Sequence, residues 1–509
     1  MSSMSPIPLR RRMMMALCCT LSFTLTACSG ATVGAPESGL EATPSETNGS
    51  VAMFVPNDGF TISQNVPINT WNRFVDATSD ALVEHGFENS SIDAHMDSDF
   101  DKQSRSLDAY VREYVERTDE GRHTDSNTDE GTVTLIVAPA VRTAESTKYY
   151  GDYATQTLSA ETTDGGTDER AYHEALTRTV DALTLAKSAG VHVIVLSTRI
   201  PGFTPDVFVS MCDAEQIGRM QAQQLVNKLE LDKTSKDNPK RIEIMLPFNG
   251  RATHMDDEQQ FAHDAFVGAW SVLGTYFRSG VVMSPSLKLS AASTEDDWHD
   301  VAFEAKNADD VVDEIKARLR TNTKNTFTPI DGVVSMNDFV ASGVVKGLAD
   351  MGYVGTAADI NPSITVGDVL GNIAGKHDVQ RGKVPEPTQA PKPGVDARTG
   401  DESANGGAAA ASSSRWPIIT GYGAYVSNIP NIVDGKQWMT GLASRNDNAE
   451  GIATLCQAFD RGEGAASTRH LNTVDGVPTM ALPLVAVSAG NLKTTLIDPG
   501  YISLADADL

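Results

Sequence analysis

Long apolar runs are scarce in this chain of 509 residues. Beyond residue 27 no segment approaches the roughly 20 apolar residues that a membrane-spanning helix needs, which excludes a multi-span membrane protein. Cysteine is scarce too: there are five, and only Cys212 and Cys456 lie beyond residue 28. A disulfide-built scaffold is therefore excluded. Those two either form one long-range bridge or stay as buried thiols, and the second reading is favoured. Positive charge is outnumbered, 41 Lys and Arg against 67 Asp and Glu, for a net charge of −26. Such a field repels phosphate backbones, so no nucleic-acid partner is expected.

Catalytic signatures are missing as well. His173-Glu174-Ala175-Leu176-Thr177 opens like a zinc-protease helix but lacks the second histidine one turn on. Gly371-Asn372-Ile373-Ala374-Gly375-Lys376 is one residue short of a phosphate loop, and His377 stands where a magnesium-holding hydroxyl belongs. Asp97-Ser98-Asp99-Phe100-Asp101 has the alternating acids of a calcium loop, yet Lys102 replaces its turn glycine. A helix N-cap accounts better for those aspartates. No Gly-x-Ser-x-Gly nucleophile elbow occurs. No catalytic residue, metal site or cofactor is expected.

What is present begins at the N-terminus. Arg10, Arg11 and Arg12 precede an apolar run from Met13 to Leu25, the charged and hydrophobic regions of an export signal. The run closes on Leu25-Thr26-Ala27-Cys28, which resembles a bacterial lipobox. That resemblance implies cleavage after residue 27 and a diacylglyceryl group on the Cys28 thiol, with palmitate among its acyl chains. The mature chain of 482 residues would carry a net charge of −29 and stand on the extracytoplasmic face of the cell membrane. Residues 28–50 are rich in Ser, Gly, Thr, Pro and Glu and read as a flexible tether.

From Val51 onward, short apolar runs alternate with helical patterns. The runs are VAMFV (51–55), TVTLIVAP (132–139), VHVIVLS (191–197), RIEIMLP (241–247), DGVVSM (331–336) and PIITGYG (417–423). Strands spaced by helices of 10 to 20 residues specify parallel α/β sheets with right-handed crossovers. Residues 118–131 read as a polar surface loop, and the Pro-rich then Gly/Ala/Ser-rich stretch 377–415 as a disordered insertion. Residues 146–168, with Tyr149, Tyr150 and Tyr153, come directly after a strand. Ligands of open α/β sheets bind beyond the carboxyl ends of strands, so this insertion belongs on the ligand side.

Several phrases, in order, carry a family resemblance. They are VIVLSTRI (193–200), VSMCDAEQIGRMQAQQL (209–225), Ser335-Met336-Asn337-Asp338 with the helix pattern 341–353, Thr420-Gly421-Tyr422-Gly423 before 428–442, and the tail 477–501. Together they make the chain resemble the type I periplasmic binding proteins, in particular the monosaccharide-binding subunits of xylose-type and multiple-sugar ABC importers. The resemblance implies two Rossmann-like lobes with parallel sheets joined by three crossings, the periplasmic-binding-protein-like I fold. The first lobe would hold 51–200 with a return segment 441–464, and the second 201–440 with the tail 465–509. It implies no enzyme but a solute-binding protein for a sugar or sugar-like ligand, serving an ABC permease as a monomer. The alternative is a surface receptor or sensor accessory without a transport role.

The same resemblance points to ligand-binding residues. Trp71, at the start of the first helix, either stacks on the ligand or belongs to the core; Arg199 and Asn249 end strands on the cleft side, Asp213 matches the aspartate of the family's Asp-Asn pair, and Asp338 fits the family's pattern of a small residue, two others and an aspartate. Three positions depart from the family: Ala214 replaces an asparagine, Gly423 an aspartate, and Ala443-Ser444 a Lys-Asp pair. Losing a charged hydrogen-bond partner costs about 1.5–3 kcal/mol each. Either the ligand differs from an ordinary pentose or hexose, or the pocket has lapsed, or Tyr422 and the tyrosine insertion rebuild it around stacking.

Overall fold

The computed structural model describes residues 49–58, 66–123, 131–141, 169–248, 255–319, 328–357, 416–465 and 471–503, with a few positions between 152 and 167. Cys28, Asn249, Tyr149, Tyr150, the stretch 371–376 and the insertion 377–415 lie outside the described residues.

Two parallel-dominated sheets organise the chain. The first contains β1 (Ser50–Pro56), β2 (Ile92–Asp97), β3 (Val133–Val137), β6 (His192–Leu196) and β7 (Val207–Ser210), plus the hairpin β14 (Leu471–Val474) and β15 (Val477–Ala481). Its strand order is β14-β15-β7-β6-β3-β1-β2, parallel except within the hairpin. Between β3 and β6 the small ribbon β4 (Thr162–Thr163) and β5 (Gly166–Thr167) stands apart. The second sheet contains β8 (Lys240–Phe248), β9 (Val282–Met283), β10 (Ala302–Glu304), β11 (Gly332–Ser335), β12 (Ile418–Tyr422), β13 (Met439–Leu442) and β16 (Val485–Ser488). Its order is β10-β8-β11-β12-β13-β16, with β9 on β8 and only β16 antiparallel. Strands such as β3 and β6 read as unbroken apolar runs because a parallel strand is covered on both faces.

Helices supply that cover. On the first sheet they are α1 (Trp71–Glu84), α2 (Phe100–His123) and α3 (Glu169–Ser188); on the second, α4 (Ala214–Lys228), α5 (Met255–Ser279), α6 (Trp298–Val301), α7 (Ala308–Leu319), α8 (Asp338–Met351) and α9 (Ile429–Val433). The last helix, α10 (Arg445–Asp460), comes after β13 of the second sheet yet packs on α1 of the first. Helix starts are locally coded. Thr70, Asp213, Asn337 and Ser444 each cap the next helix with a side-chain oxygen, and Asp99 Oδ1 accepts from Lys102 N at 2.9 Å at the head of α2. The Asp97–Asp101 run is thus a helix start.

Among the described residues the backbone passes between the sheets three times, at 211–213, 443–444 and 482–484. Sheet membership corrects the sequence-based borders. β7 hydrogen-bonds to β6, so the first half extends past 200 to 210. The hairpin 471–481 also belongs to the first half, which leaves only β16 and the residues after it to the second. The cause is the pairing of β15 with β7, a contact between segments about 270 positions apart that no local pattern reports. The polar stretch after 118 is likewise helix as far as His123 rather than loop.

A continuous apolar cluster runs from α1 and α10 on the first sheet, through Tyr153, Cys212 and Tyr422, to α4 and α5 on the second. Cys212 and Cys456 are both free and buried. Among the described residues no helix is long and apolar enough to cross a membrane.

Candidate functional site in the cleft between the sheets

Tyr422, at the carboxyl end of β12 in the second sheet, meets the segments that follow β3 and β7 of the first, beyond the carboxyl ends of strands where open α/β sheets present ligands. The chain leaves β3 under a clamp from α2: Gln103 Nε2 donates to the Ala138 carbonyl at 2.8 Å, and Gln103 Oε1 accepts from Ala140 N at 2.8 Å. It returns at residues 152–155, pinned to the first crossing. Thr155 N donates to the Cys212 carbonyl at 2.9 Å, Thr155 Oγ1 to the Ser197 carbonyl at 2.9 Å, and Ser197 Oγ to the Tyr153 carbonyl at 2.9 Å. Ser197 holds φ at +59°, the left-handed region that a non-glycine residue enters only when its surroundings fix it.

That pinning sets two side chains. The Tyr153 ring lies 4.9 Å from the Trp71 ring and 5.8 Å from Phe74, and its hydroxyl donates to the Thr70 carbonyl at 2.7 Å. Asp152 turns its carboxylate toward the second sheet. Tyr422 OH, at the end of β12, donates to Asp152 Oδ1 at 2.6 Å; Asn69 Nδ2 donates to Oδ2 at 2.7 Å and to the Ala443 carbonyl at 2.8 Å. Cys212 Sγ stands 3.0 Å from the Tyr422 hydroxyl and 3.8 Å from Asp152 Oδ1. One carboxylate thus touches the loop before α1, the first crossing and the second sheet. Burial pushes the Asp152 carboxyl up from its ordinary value, and it pushes the Cys212 thiol and the Tyr422 hydroxyl well up from theirs. The thiol is protonated and unreactive.

Asp338 lies deeper in the second half. Its Oδ1 accepts from Gln437 Nε2 at 2.6 Å, and its Oδ2 from Tyr425 N and Thr440 Oγ1, each at 2.9 Å. Asn428 Nδ2 donates to its carbonyl at 2.9 Å. Full burial raises its pKa to about 7. The Thr420-Gly421-Tyr422-Gly423 turn is built around it: a Cβ on Gly421 would lie 2.2 Å from Asp338 Oδ1, and Gly423 takes φ +105°.

The other residues to which the sequence points are scattered. Trp71 is buried at the head of α1 against Tyr153 and Phe74, with its backbone N donating to Asp58; its ring belongs to the core. Arg199 is exposed and stacks on Phe208 at 4.4 Å, on the sheet face that carries α2 and α3 rather than at the strand ends. Asp213 caps α4 by accepting from Gln216 N at 2.7 Å. Tyr422 and Asp338 are both fully buried, Tyr422 against Asp152 and Asp338 behind it in the second half; Trp71 packs on Tyr153, next to Asp152, and Arg199 lies apart on the α2 and α3 face.

Sequence reasoning misses two neighbours. Arg445, at the second crossing, is 6% exposed, lies 4.3 Å over the Tyr501 ring, and has no hydrogen-bond partner for Nε or Nη1. Asp152 is the other; its place between Tyr150 and Tyr153, in a segment leaving a strand end, is the signal that could have found it. Among the described residues no group of three or more His, Cys, Asp or Glu could hold a metal ion.

The chain has known relatives. Residues 174–374 match the model of a periplasmic binding protein domain. The multiple sugar-binding periplasmic protein SbpA of Azospirillum brasilense is 24% identical over 333 residues, 65% of this chain and 72% of that one. Among solved structures, an ABC transporter solute-binding protein of Clostridium phytofermentans with bound β-D-glucose is 18% identical, with 90% of this chain and 100% of that one covered at a TM-score of 0.47. A carbohydrate transporter solute-binding protein of Chloroflexus aurantiacus in complex with D-glucose is 16% identical, at 91% and 98% coverage and a TM-score of 0.48. The domain match spans 201 of the 509 residues and takes in strands of both parallel-dominated sheets, so over that span the chain is similar to periplasmic binding proteins.

Proposed function

We propose that the chain is a lipid-anchored, extracytoplasmic solute-binding protein for a sugar or sugar-like ligand, serving an ABC importer as a monomer through a permease. Cys28 carries the lipid, residues 28–50 are the tether, and two lobes built on the two sheets close on the ligand. The lobes are about 51–210 with 445–481, and about 214–442 with 485–509.

The observation that carries this reading is the convergence of strand ends from both sheets on Asp152 and Tyr422, with the crossings at 211–213 and 443–444 beside them as hinges. The Azospirillum relative is named as multiple sugar-binding, and its similarity spans most of both chains. Catalysis has no part in the proposal: the Cys212 thiol is held protonated, and the carboxylates at hand are engaged as hydrogen-bond acceptors.

The test is a thermal-shift panel of sugars, polyols and nucleosides on the purified chain. A ligand at 100 times its Kd adds about 2.7 kcal/mol, which for two lobes of this size raises Tm by about 3 °C. If the whole panel at millimolar level leaves Tm in place, solute binding is wrong. A second reading, a receptor or sensor accessory without transport, is favoured by one observation: both carboxylate oxygens of Asp338 already have donors from the chain itself.

A further inference from the structure

Ile68 belongs to one half of the molecule by sequence and to the other by packing. It comes from the loop before α1, on the first sheet. Yet it is 1% exposed in an apolar cluster whose other members, among them Ala424, Ile429, Leu442, Val487 and Leu496, all come from the second half. Its backbone N donates to the Gly423 carbonyl, just beyond β12, at 3.1 Å. Arg73, in the first turn of α1, ties the same loop to the tail: Nη1 donates to the Ile68 carbonyl at 3.3 Å and to the Tyr501 carbonyl at 3.1 Å. The first half thus sends an isoleucine into a socket of the second.

A second tie runs beside it. Tyr422 OH donates to Asp152 Oδ1 at 2.6 Å, and one apolar cluster continues through Tyr153, Cys212 and Tyr422 from α1 to α4. Asn69 links the two ties, since it follows Ile68 and donates to both Asp152 Oδ2 and the Ala443 carbonyl. Every one of these groups belongs to the chain, so the shut arrangement asks nothing of a ligand. Burying an isoleucine side chain favours the arrangement that buries it by roughly ten- to a hundredfold, and a hydrogen bond adds a preference of roughly severalfold. The halves can turn at the crossings only by drawing Ile68 out of its socket and taking the phenol donor from Asp152. Both costs fall on the open arrangement.

We infer that the two halves rest latched shut by the chain's own side chains before any solute binds, with Ile68 as the knob and the Asp152–Tyr422 bridge as the catch. A solute then enters only while the halves part, and opening, not diffusion, sets its rate of entry. That consequence rests on the solute-binding reading; the latch itself does not.

The test is hydrogen exchange at the Ile68 amide in the purified chain with no solute added, for the wild type, Ile68→Ala and Tyr422→Phe. The wild-type amide exchanges about a hundredfold more slowly than in an unstructured chain. Tyr422→Phe speeds it about tenfold while amides of β3 and β8 keep their rates. The Tyr422 hydroxyl bonds to Asp152 and not to Ile68, so that change reports the halves parting together. Ile68→Ala, corrected for the intrinsic rate of the new sequence, speeds exchange at residue 68 by about tenfold or more. A wild-type amide that exchanges like an unstructured one overturns the latch, and so does a rate in Tyr422→Phe equal to that of the wild type. If a variant fails to fold, the wild-type rate decides. The same samples are then mixed with D-glucose, D-ribose and myo-inositol at millimolar level. No response to any of them contradicts the solute-binding reading and leaves the latch to stand or fall on the exchange result.

Discussion

Gly421 shows how much a single residue carries here. A Cβ added there meets Asp338 Oδ1 at 2.2 Å and Gln437 Nε2 at 2.6 Å, inside a network whose members are already hydrogen-bonded to one another. Gly421→Ala is therefore expected to lose about 1–3 kcal/mol and to lower Tm, as measured by calorimetry. Asp338 itself makes stability depend on pH. Its carboxyl is raised from 3.8 to about 7 by burial, so between those values the folded chain holds a proton that the unfolded chain has lost. Stability from this group is full below about pH 4 and fades as pH rises toward 7. Urea titrations at pH 5 and pH 7.5 should show a steeper decline for the wild type than for Asp338→Asn; equal slopes would contradict the assignment. Asp338 is legible in the sequence because it heads a helix after an apolar run, and Tyr422 because it ends one. Asp152 is not, since its meaning comes from Tyr422, 270 positions away. Trp71 is the core residue that one of its two readings allows, while Arg199, read as ending a strand on the cleft side, turns onto Phe208 instead; Phe74, Tyr153 and Phe208 decide which way these side chains lie.

At the scale of elements, α4 and α5 form a tight seam in the second half. A Cβ on Gly218 would lie 1.9 Å from the Ala265 carbonyl oxygen, and one on Gly268 would lie 2.0 Å from that of Glu215. Both neighbours are backbone, which cannot swing aside, so the helices must separate. Gly268→Ala is expected to cost more than the roughly 1 kcal/mol typical of a random substitution. Circular dichroism melting should show it unfolding at a lower temperature than a change on an exposed helix face such as Ser188→Ala. α4 also holds the carboxyl end of β11 to β12: Gln221 Nε2 donates to the Met336 carbonyl at 2.9 Å, while Gln221 Oε1 accepts from Thr420 Oγ1 at 2.7 Å. The apolar runs that form β1, β3, β6, β8, β11 and β12, and the helices that directly follow β6, β8 and β11 in that alternation or carry a cap, are readable because those signals are local; short strands such as β2, β7 and β10 give no comparable run. The hairpin β14–β15 cannot be assigned to its sheet in that way, because edge pairing with β7 is set by a chain that leaves the first half and comes back.

As a whole, the molecule is two sheets that share three crossings and one carboxylate bridge, proposed to stand at a membrane through a lipid on Cys28. Cys28→Ser should release the protein from the membrane fraction into the soluble one; persistence in the membrane would rule out the lipid. The resemblance to periplasmic binding proteins is legible because its phrases keep their order along the chain, and the domain match at 174–374 falls among them. The ligand is not, since Gly423, Ala214 and Ala443 depart from the family at the positions that resemblance would use, and the acceptors that stand in the cleft come from Asn69 and Asp152. The most direct measurement is isothermal titration of the purified wild-type chain with neutral monosaccharides and myo-inositol. Saturable heat with a Kd in the micromolar range for at least one of them, lost or much weakened in Asp152→Asn, is the predicted result. No heat at millimolar concentration for any of them would contradict it.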